Sequence, residues 1–274
     1  MKKISALLLI LLFISIQASA TEEERICAFL RVKNEINTIE ACLTSIDGVF
    51  DKIVIIHSNE PDDGTVSFMN NWCTQRTYCE IHEYPYHVFP SHDKQYTTKS
   101  VKPENTLAAY YNFGLQFFEP EDWVVKIDAD QVYLTERLKK FIQPFKTGIA
   151  DKTKTYGLTG FNSFIKNHEL VLFKHHINGG RDSFFVKRKY IKPFIQTQHY
   201  EVSNISAPFA TTSEPVWFHF MKSLKSGGKV RSNDQASSNE IRYLSQEQKM
   251  LFETHIRPLL KNSPYYHATI PTKE

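Results

Sequence analysis

The sequence predicts an α/β protein with a mostly parallel sheet flanked by helices and a mixed β extension in the C-terminal half. Over the first half of the chain, apolar runs of strand length alternate with segments of helical periodicity. Those runs are apolar throughout, which is typical of strands buried on both faces. Beyond about residue 150 the runs become shorter and richer in aromatic residues.

The first half contains four predicted strands and four predicted helices in alternation. Ile36, Ile39, Leu43 and Ile46 show the helical spacing of the first helix, for which Asn37 and Glu40 form a candidate capping pair, and Thr135 is a candidate N-cap for the last helix. The predicted strands are 25–32, 51–58, 79–86 and 120–127, and the predicted helices are 34–46, 66–73, 104–118 and 135–145.

The second half predicts shorter aromatic strands over 156–165, 170–177, 182–191 and 215–220, and a closing helix over 245–260. No linker separates the halves. We therefore expect a single domain over residues 21–274, with its first half at about 25–150 and its second at 151–274.

Composition indicates an ordinary globular chain. It has 274 residues, of which 41% are hydrophobic and 23% are charged. The formal net charge is only +3, and Lys2 and Lys3 supply two of those charges. This balance does not favour nucleic-acid binding.

Residues 1–20 have the pattern of a secretory signal peptide. Lys2 and Lys3 precede an apolar run from Ile4 to Ile16, and Ala18-Ser19-Ala20 is a small-x-small cleavage pattern. The alternative is an uncleaved inner-membrane anchor, and with it a membrane association. The first interpretation predicts an exported protein, periplasmic or secreted.

Four cysteines follow this segment. Cys73 and Cys79 are close enough in sequence to be a candidate disulfide pair in an exported chain. Cys27 lies in a predicted strand and Cys42 on a predicted helix face, so both are expected to be core thiols.

Polar clusters follow three of the predicted strands. Asn34 and Glu35, the loop 58–63, and the pair Asp128 and Asp130 all lie at strand carboxyl ends. Ligands of open α/β sheets bind at that edge, and carboxylate oxygens are the ligands that Mg²⁺ and Mn²⁺ prefer. Each cluster also has a plain structural interpretation as a helix cap or a solvated turn.

Three residues of the second half could complete such a site. His219 could be a metal ligand or a buried core histidine. Lys222, with Lys225 beyond it, is placed to meet diphosphate charge. Asp182, after Gly179-Gly180, could be a general base or could cap a turn.

Four stretches together resemble the bacterial beta-1,4-N-acetylgalactosaminyltransferase family, whose members build ganglioside-like ends on lipooligosaccharide. They are also similar to GT-A (Rossmann-like) glycosyltransferases of the family 2 type. The likeness is clear over residues 26–145 and thin beyond. The stretches are "FLRVKNEINTIEACLTSI", "SNEPDDGT", "YYNFGLQFFEPEDWVVKIDADQVY" and "HFMKSLK".

This resemblance implies a UDP-sugar donor, Mn²⁺ or Mg²⁺ as cofactor, an inverting displacement and a saccharide or glycolipid acceptor. It implies that the general base is Asp182 and that the metal ligands are Asp128, Asp130 and His219. The implied nucleotide-binding residues are Arg31, Asn34, Glu35, Ser58, Asn59, Asp62, Asp128 and Lys222.

Two alternatives stay open from the sequence. One is an enzyme of the same fold that uses a different nucleotide sugar. The other is an exported nucleotide- or carbohydrate-binding protein with this fold and no turnover. The signal-peptide pattern is also a departure, because relatives of this type normally work in the cytoplasm, where UDP-sugars are made.

Overall fold

The structure is a computed structural model, and it describes residues 24–60, 62–91, 93–97, 100–173, 183–222, 224–226, 229–231 and 241–271. The helices are α1 (Ile39–Ile46), α2 (Thr65–Cys73), α3 (Lys94–Thr97), α4 (Leu107–Leu115), α5 (Thr135–Lys146) and α6 (Gln246–Leu251). The strands of the first half are β1 (Ile26–Val32), β2 (Lys52–Ser58), β3 (Cys79–Tyr84), β4 (Trp123–Asp128) and β5 (Gln131–Tyr133). Those that follow are β6 (Thr155–Lys166), β7 (Glu169–Phe173), β8 (Phe184–Lys187), β9 (Ile191–Gln196), β10 (Glu201–Ile205), β11 (Phe209–Phe220), β12 (Leu224–Ser226), β13 (Lys229–Arg231) and β14 (Ile241–Arg242).

Ten of the described strands form one mixed sheet. Eight follow the order β14-β7-β6-β8-β4-β1-β2-β3, and β11 joins through β5 and β6. The β4-β1-β2-β3 portion is parallel, whereas β8 is antiparallel to β4 and β6. The predicted α/β class with a mixed C-terminal extension is therefore confirmed, and strands of both halves of the chain share this sheet.

The apolar sequence of β1 is explained by burial on both faces. Ile26, Ala28 and Leu30 pack in the core on one side of the sheet with α1, while Cys27 and Phe29 pack in the core on the other side with α4. The alternation of side chains along a strand delivers every second residue to each core. Burial on both faces is what a central parallel strand requires.

A close approach between β6 and β11 joins the C-terminal extension to the core. Trp217 of β11 is fully buried, and a Cβ built on Gly160 of β6 would lie 2.0 Å from its ring. Only a residue without a side chain fits at position 160. This contact lies two residues from His219 along β11.

Several predicted boundaries need correction. Thr135 is the first residue of α5, and Leu134 precedes it as the N-cap. Thr38 is the N-cap of α1 and makes no side-chain capping bond, so the predicted Asn37–Glu40 capping pair is wrong. The helix predicted over 104–118 is shorter, with Thr106 capping α4 by accepting from the Ala109 amide at 3.1 Å.

The segment predicted as one closing helix contains three kinds of helix in succession. A capping box of Ser245 and Gln248 begins α6. A π-helical turn over Phe252–Ile256 and a 3-10 turn over Arg257–Leu260 follow it. The proline at position 258 lacks the amide proton that a regular helix would need there.

Cysteines 73 and 79 form a disulfide that joins the end of α2 to the start of β3, with Cα atoms 5.1 Å apart. Cys27 and Cys42 are buried free thiols, as expected. The segment 1–20 lies outside the described residues. Within the part of the chain that the structure describes, no helix is long and apolar enough to cross a membrane.

Gly160→Ala should destabilise the protein by about 1–3 kcal/mol, because the added methyl group would overlap the Trp217 ring in a packed core. Urea unfolding followed by fluorescence measures the change. Ser67→Ala on the exposed face of α2 is the control and should leave the midpoint unchanged. Equal midpoints for the two variants would contradict the close packing of β6 and β11.

Candidate functional site

Two of the three polar clusters contribute a residue, Glu35 or Asp130, to one cleft beyond the carboxyl ends of β1 and β4. The cleft has a volume of about 500 Å³. Its lining contains both charged and apolar residues. Its polar and charged lining residues are Arg31, Lys33, Glu35, Ser91, Asp130, Asn162, His219 and Lys222, and its apolar ones are Val88, Phe89, Pro90, Leu107, Tyr110, Phe173 and Met221.

Asp130 and His219 face each other in this cleft. The Nε2 atom of His219 lies 3.1 Å from Oδ2 of Asp130, although the two residues are 89 positions apart in the chain. Backbone pairing holds them in place, because Asp130 belongs to the turn between β4 and β5, and β5 pairs with β11. The amide of Phe220 also donates to the Asp130 carbonyl at 2.8 Å.

The other ring nitrogen of His219 is engaged within the sheet. Nδ1 lies 2.9 Å from Oδ1 of Asn162, which stands directly opposite His219 in the β6–β11 register. Burial alone would lower the pKa of His219, but the Asp130 carboxylate outweighs it, so the pKa is raised above its usual value. The site thus favours a positive charge at the position between Nε2 and Asp130.

Glu35 adds a second carboxyl group to the same side of the cleft. Burial and the nearby Asp130 raise the pKa of Glu35 to about 7. Lys222 opposes this shift through an ion pair with Oε2 of Glu35 at 2.9 Å, and it also donates to the Asn34 carbonyl. Asn34 has a left-handed backbone with φ 54°, which turns the chain sharply at the end of β1.

Asp128 lies in a different environment from Asp130. Both of its oxygens accept from Nζ of the buried Lys126, at 3.2 and 3.3 Å. Burial alone would raise the pKa of Asp128, but Lys126 and Arg31 outweigh it and hold this pKa below its usual range. Arg31 in turn donates to the Tyr111 hydroxyl at 3.0 Å.

The loop after β2 borders a much smaller cavity beside the main cleft. Asn34, Ser58 and Asp62 line it. Asp62 caps α2, since its Oδ1 accepts from the amides of Gly64 at 2.6 Å and Val66 at 3.1 Å. This is the plain structural role that the sequence left open for the loop.

Glu60 holds the chain after β3 against this loop. Its carboxylate pairs with Lys33 and His87 and accepts from the Val88 amide at 3.0 Å. Lys33 also donates to the Val88 carbonyl at 3.3 Å. The segment 87–91 is thereby held beside the loop after β2, and its residues 88–91 line the main cleft.

The structure places the sequence-predicted residues in three groups. The main cleft contains Arg31, Glu35, Asp130, His219 and Lys222, and the small cavity contains Asn34, Ser58 and Asp62. Asn59 follows β2 in the same loop, and its amide donates to the Tyr84 carbonyl at 3.0 Å. Asp128 pairs with Lys126 and is not among the lining residues of either cavity, while Asp182 and the side chain of Lys225 lie outside the described residues.

Sequence reasoning missed Lys126, Asn162, Glu60 and Tyr265. The only sequence signal for Lys126 is a charge inside an otherwise apolar strand. Asn162 is recognisable only from the register of β6 against β11. Burial and the nearby Asp130 and Glu35 carboxyl groups raise the pKa of Tyr265 to about 12. This C-terminal residue therefore lies close to the site.

The donor set fits a hard divalent cation that keeps open positions for substrate oxygens. Among the described residues, no group of three or more His, Cys, Asp or Glu side chains is arranged to hold a metal ion. The facing pair of Asp130 and His219 supplies one oxygen and one nitrogen. Mg²⁺ sites commonly use one or two protein ligands and take the rest from water and phosphate oxygens.

Glu35→Gln should stabilise the metal-free protein more at pH 8 than at pH 5. The carboxyl group of Glu35 has a raised pKa in the folded state, so its contribution to stability is full below the unfolded value and is lost as pH rises through about 7. Glutamine resembles the protonated form and has no such loss. The difference in unfolding free energy between the variant and the parent should grow by on the order of 1–3 kcal/mol over this range.

Urea unfolding at several pH values measures this difference. Glu83→Gln, at an exposed position of β3, is the control, and its difference in unfolding free energy from the parent should not change with pH. A Glu35→Gln difference that stays constant with pH would show that Asp130 and burial do not act on Glu35 as described.

Comparison with known proteins gives one family match. A family model described as "Beta-1,4-N-acetylgalactosaminyltransferase (CgtA)" matches residues 21–147. No curated protein matches the chain. The family match confirms the resemblance that the motifs predict.

Similar folds occur among solved structures. TarS 1-349 of S. aureus in complex with UDP has 10% identity and a TM-score of 0.45, over 72% of this chain and 61% of that chain. A putative glucose-1-phosphate thymidylyltransferase of Bacillus anthracis has 11% identity and a TM-score of 0.44, over 70% and 88% of the two chains. Apo GlyE of Streptococcus pneumoniae has 13% identity and a TM-score of 0.33, over 61% and 35%.

This chain spans 37% to 61% of the length of the TarS chains that it matches. At such low TM-scores the structural likenesses carry no argument of their own, and the assignment depends on the family model. Over residues 21–147 the chain is therefore similar to the beta-1,4-N-acetylgalactosaminyltransferase (CgtA) family, a family of glycosyltransferase enzymes.

Proposed function

We propose that the protein is an inverting, metal-dependent glycosyltransferase that moves GalNAc, galactose or another hexose from a UDP-sugar to a saccharide acceptor such as lipooligosaccharide. The observation that carries the proposal is the facing pair of Asp130 and His219 in the main cleft. A positive charge is favoured between its two atoms, and the divalent cation of a metal–diphosphate complex would supply one.

The residues around the pair suit a diphosphate. Oδ2 of Asp130 and Nε2 of His219 would hold Mn²⁺ or Mg²⁺, which when bound neutralises negative charge on a departing diphosphate. Lys222 and Arg31 line the same cleft and add cationic charge to it. Because Lys126 already neutralises Asp128, that carboxylate is suited to accept a hydrogen bond from a ribose or sugar hydroxyl rather than to bind a cation.

The apolar lining residues of the cleft suit the sugar groups. Val88, Phe89 and Phe173 contribute apolar surface to the same cleft. Sugar rings pack their C–H faces on such surfaces, and an N-acetyl methyl group needs an apolar contact. In this proposal Asp182 accepts the proton of the attacking acceptor hydroxyl, which requires hydrogen-bond reach to that group.

The family match favours an enzyme over a binding protein without turnover. The same pair and cleft would also be present in a protein that binds a nucleotide sugar and does not react with it. A measurement of hydrolysis or transfer separates the two. For location, we propose export by the N-terminal segment or its retention as an inner-membrane anchor, which N-terminal sequencing of the mature protein distinguishes.

Asp130→Asn should abolish the metal-dependent part of UDP binding, because an amide is a much weaker ligand for a hard cation than a carboxylate. Calorimetric titration of the protein with UDP, with and without Mn²⁺, measures this. The parent should bind in the micromolar range only with the metal. The control Asp151→Asn changes an exposed aspartate on the loop before β6 and should behave as the parent.

Binding of UDP that is equal with and without Mn²⁺ in the parent would remove the metal from the proposal. Unchanged affinity in Asp130→Asn would remove this residue from the metal.

Asp182→Asn should keep UDP and metal affinity and lower kcat for transfer by a factor on the order of 100 or more, since a general base contributes about 10²–10⁴. A donor and acceptor screen with the parent supplies the assay, and release of UDP reports turnover. Full transfer activity of the variant would contradict the assignment of Asp182 as the general base.

A further inference from the structure

We infer that Asn162 is a positioning residue for the metal centre and that it keeps the Nε2 lone pair of His219 available to the cation. This inference depends on the proposed function. Asn162 lies on β6, beyond the family-matched stretch, and neither the sequence motifs nor the family match assigns it a role.

The orientation of the Asn162 amide determines which ring nitrogen of His219 keeps its proton. Oδ1 of Asn162 is an acceptor and lies 2.9 Å from Nδ1 of His219. An N–H group must therefore be present at Nδ1 for this contact to be a hydrogen bond. The remaining nitrogen, Nε2, faces the Asp130 carboxylate at 3.1 Å.

An imidazole with its proton on Nδ1 presents only a lone pair at Nε2. A lone pair directed at a carboxylate oxygen is repulsive unless a proton or a cation lies between them. Histidines that bind metals usually donate their second N–H to an oxygen acceptor, which fixes the tautomer and the ring orientation. Asn162 supplies that acceptor here, and no metal needs to be present for it to do so.

The strand register makes the arrangement rigid. Asn162 and His219 are directly opposite each other in the parallel pairing of β6 and β11. Ser163, the next residue of β6, donates from its hydroxyl to the His219 carbonyl at 2.9 Å. Asn162 itself is only 8% exposed, so little water competes for its oxygen.

The test is a set of Mn²⁺ titrations in the presence of saturating UDP, followed by calorimetry and by loss of the free Mn²⁺ signal in electron paramagnetic resonance. Asn162→Leu keeps the approximate volume and removes the acceptor, so its Kd for Mn²⁺ should rise 10- to 100-fold. Asn162→Asp keeps an acceptor oxygen at Nδ1 and should bind Mn²⁺ within about 3-fold of the parent or more tightly.

Ser163→Ala is the matched control. It removes a hydrogen bond of the same 2.9 Å length from the adjacent residue to the same histidine, but from the backbone instead of the ring. Its Mn²⁺ affinity should stay within about 3-fold of the parent, a small effect compared with that expected for the loss of an outer-shell partner. If Asn162→Leu fails to fold, Asn162→Ala takes its place in the comparison with Asn162→Asp.

The outcomes separate the inference from the proposed function. Parent affinity in Asn162→Leu, or an equal loss in Asn162→Asp and Asn162→Leu, would overturn the role of Asn162 and leave the metal site in place. A loss of UDP affinity in Asn162→Leu that saturating Mn²⁺ does not restore would make Asn162 a ligand contact and overturn its positioning role. A parent that binds no Mn²⁺ would remove the metal site and the inference together.

Discussion

The pairing of β11 with β5 on one side and β6 on the other is the constraint on which the candidate site depends. Asp130 and His219 lie far apart in sequence and meet only because β5 begins one residue after Asp130 and pairs with β11. The bond from the Phe220 amide to the Asp130 carbonyl fixes the aspartate turn from the other direction. The packing of Trp217 on Gly160 then fixes how closely β11 approaches β6.

The two aspartates after β4 differ because their charges are balanced in different ways. Lys126 balances Asp128 within the protein, and burying that pair together avoids the large cost of an unpaired buried charge. Burial and the nearby Asp130 raise the pKa of Glu35 to about 7, so a second negative charge beside Asp130 is disfavoured. A bound cation would reduce this repulsion, which supports the proposed metal site.

The sequence was sufficient for the elements of the first half and for the edge at which the polar clusters meet. The apolar strands and the Asp128 and Asp130 pair follow from local pattern, since a central parallel strand must be apolar on both faces. The sequence was not sufficient to separate the roles of the two aspartates. Their difference comes from Lys126, which is recognisable in the sequence only as a charged residue inside an apolar strand.

The contribution of Asn162 could not be predicted from the sequence either. It depends on the register of β6 against β11, and register between distant strands is set by long-range packing rather than by local pattern. The helix boundaries failed for a similar reason, because backbone turns at Thr38 and Leu134 decide the caps more than the residue types nearby.

The end of the family-matched stretch has a consequence for how such a protein can diverge. Residue 147 comes directly after α5, so the stretch contains Asp130 but neither Asn162 nor His219. The oxygen ligand of the proposed metal centre therefore lies inside the matched stretch, and the nitrogen ligand lies in the C-terminal extension. Substitutions confined to β6 or β11 would alter the nitrogen ligand without changing the loops that follow β1 and β2.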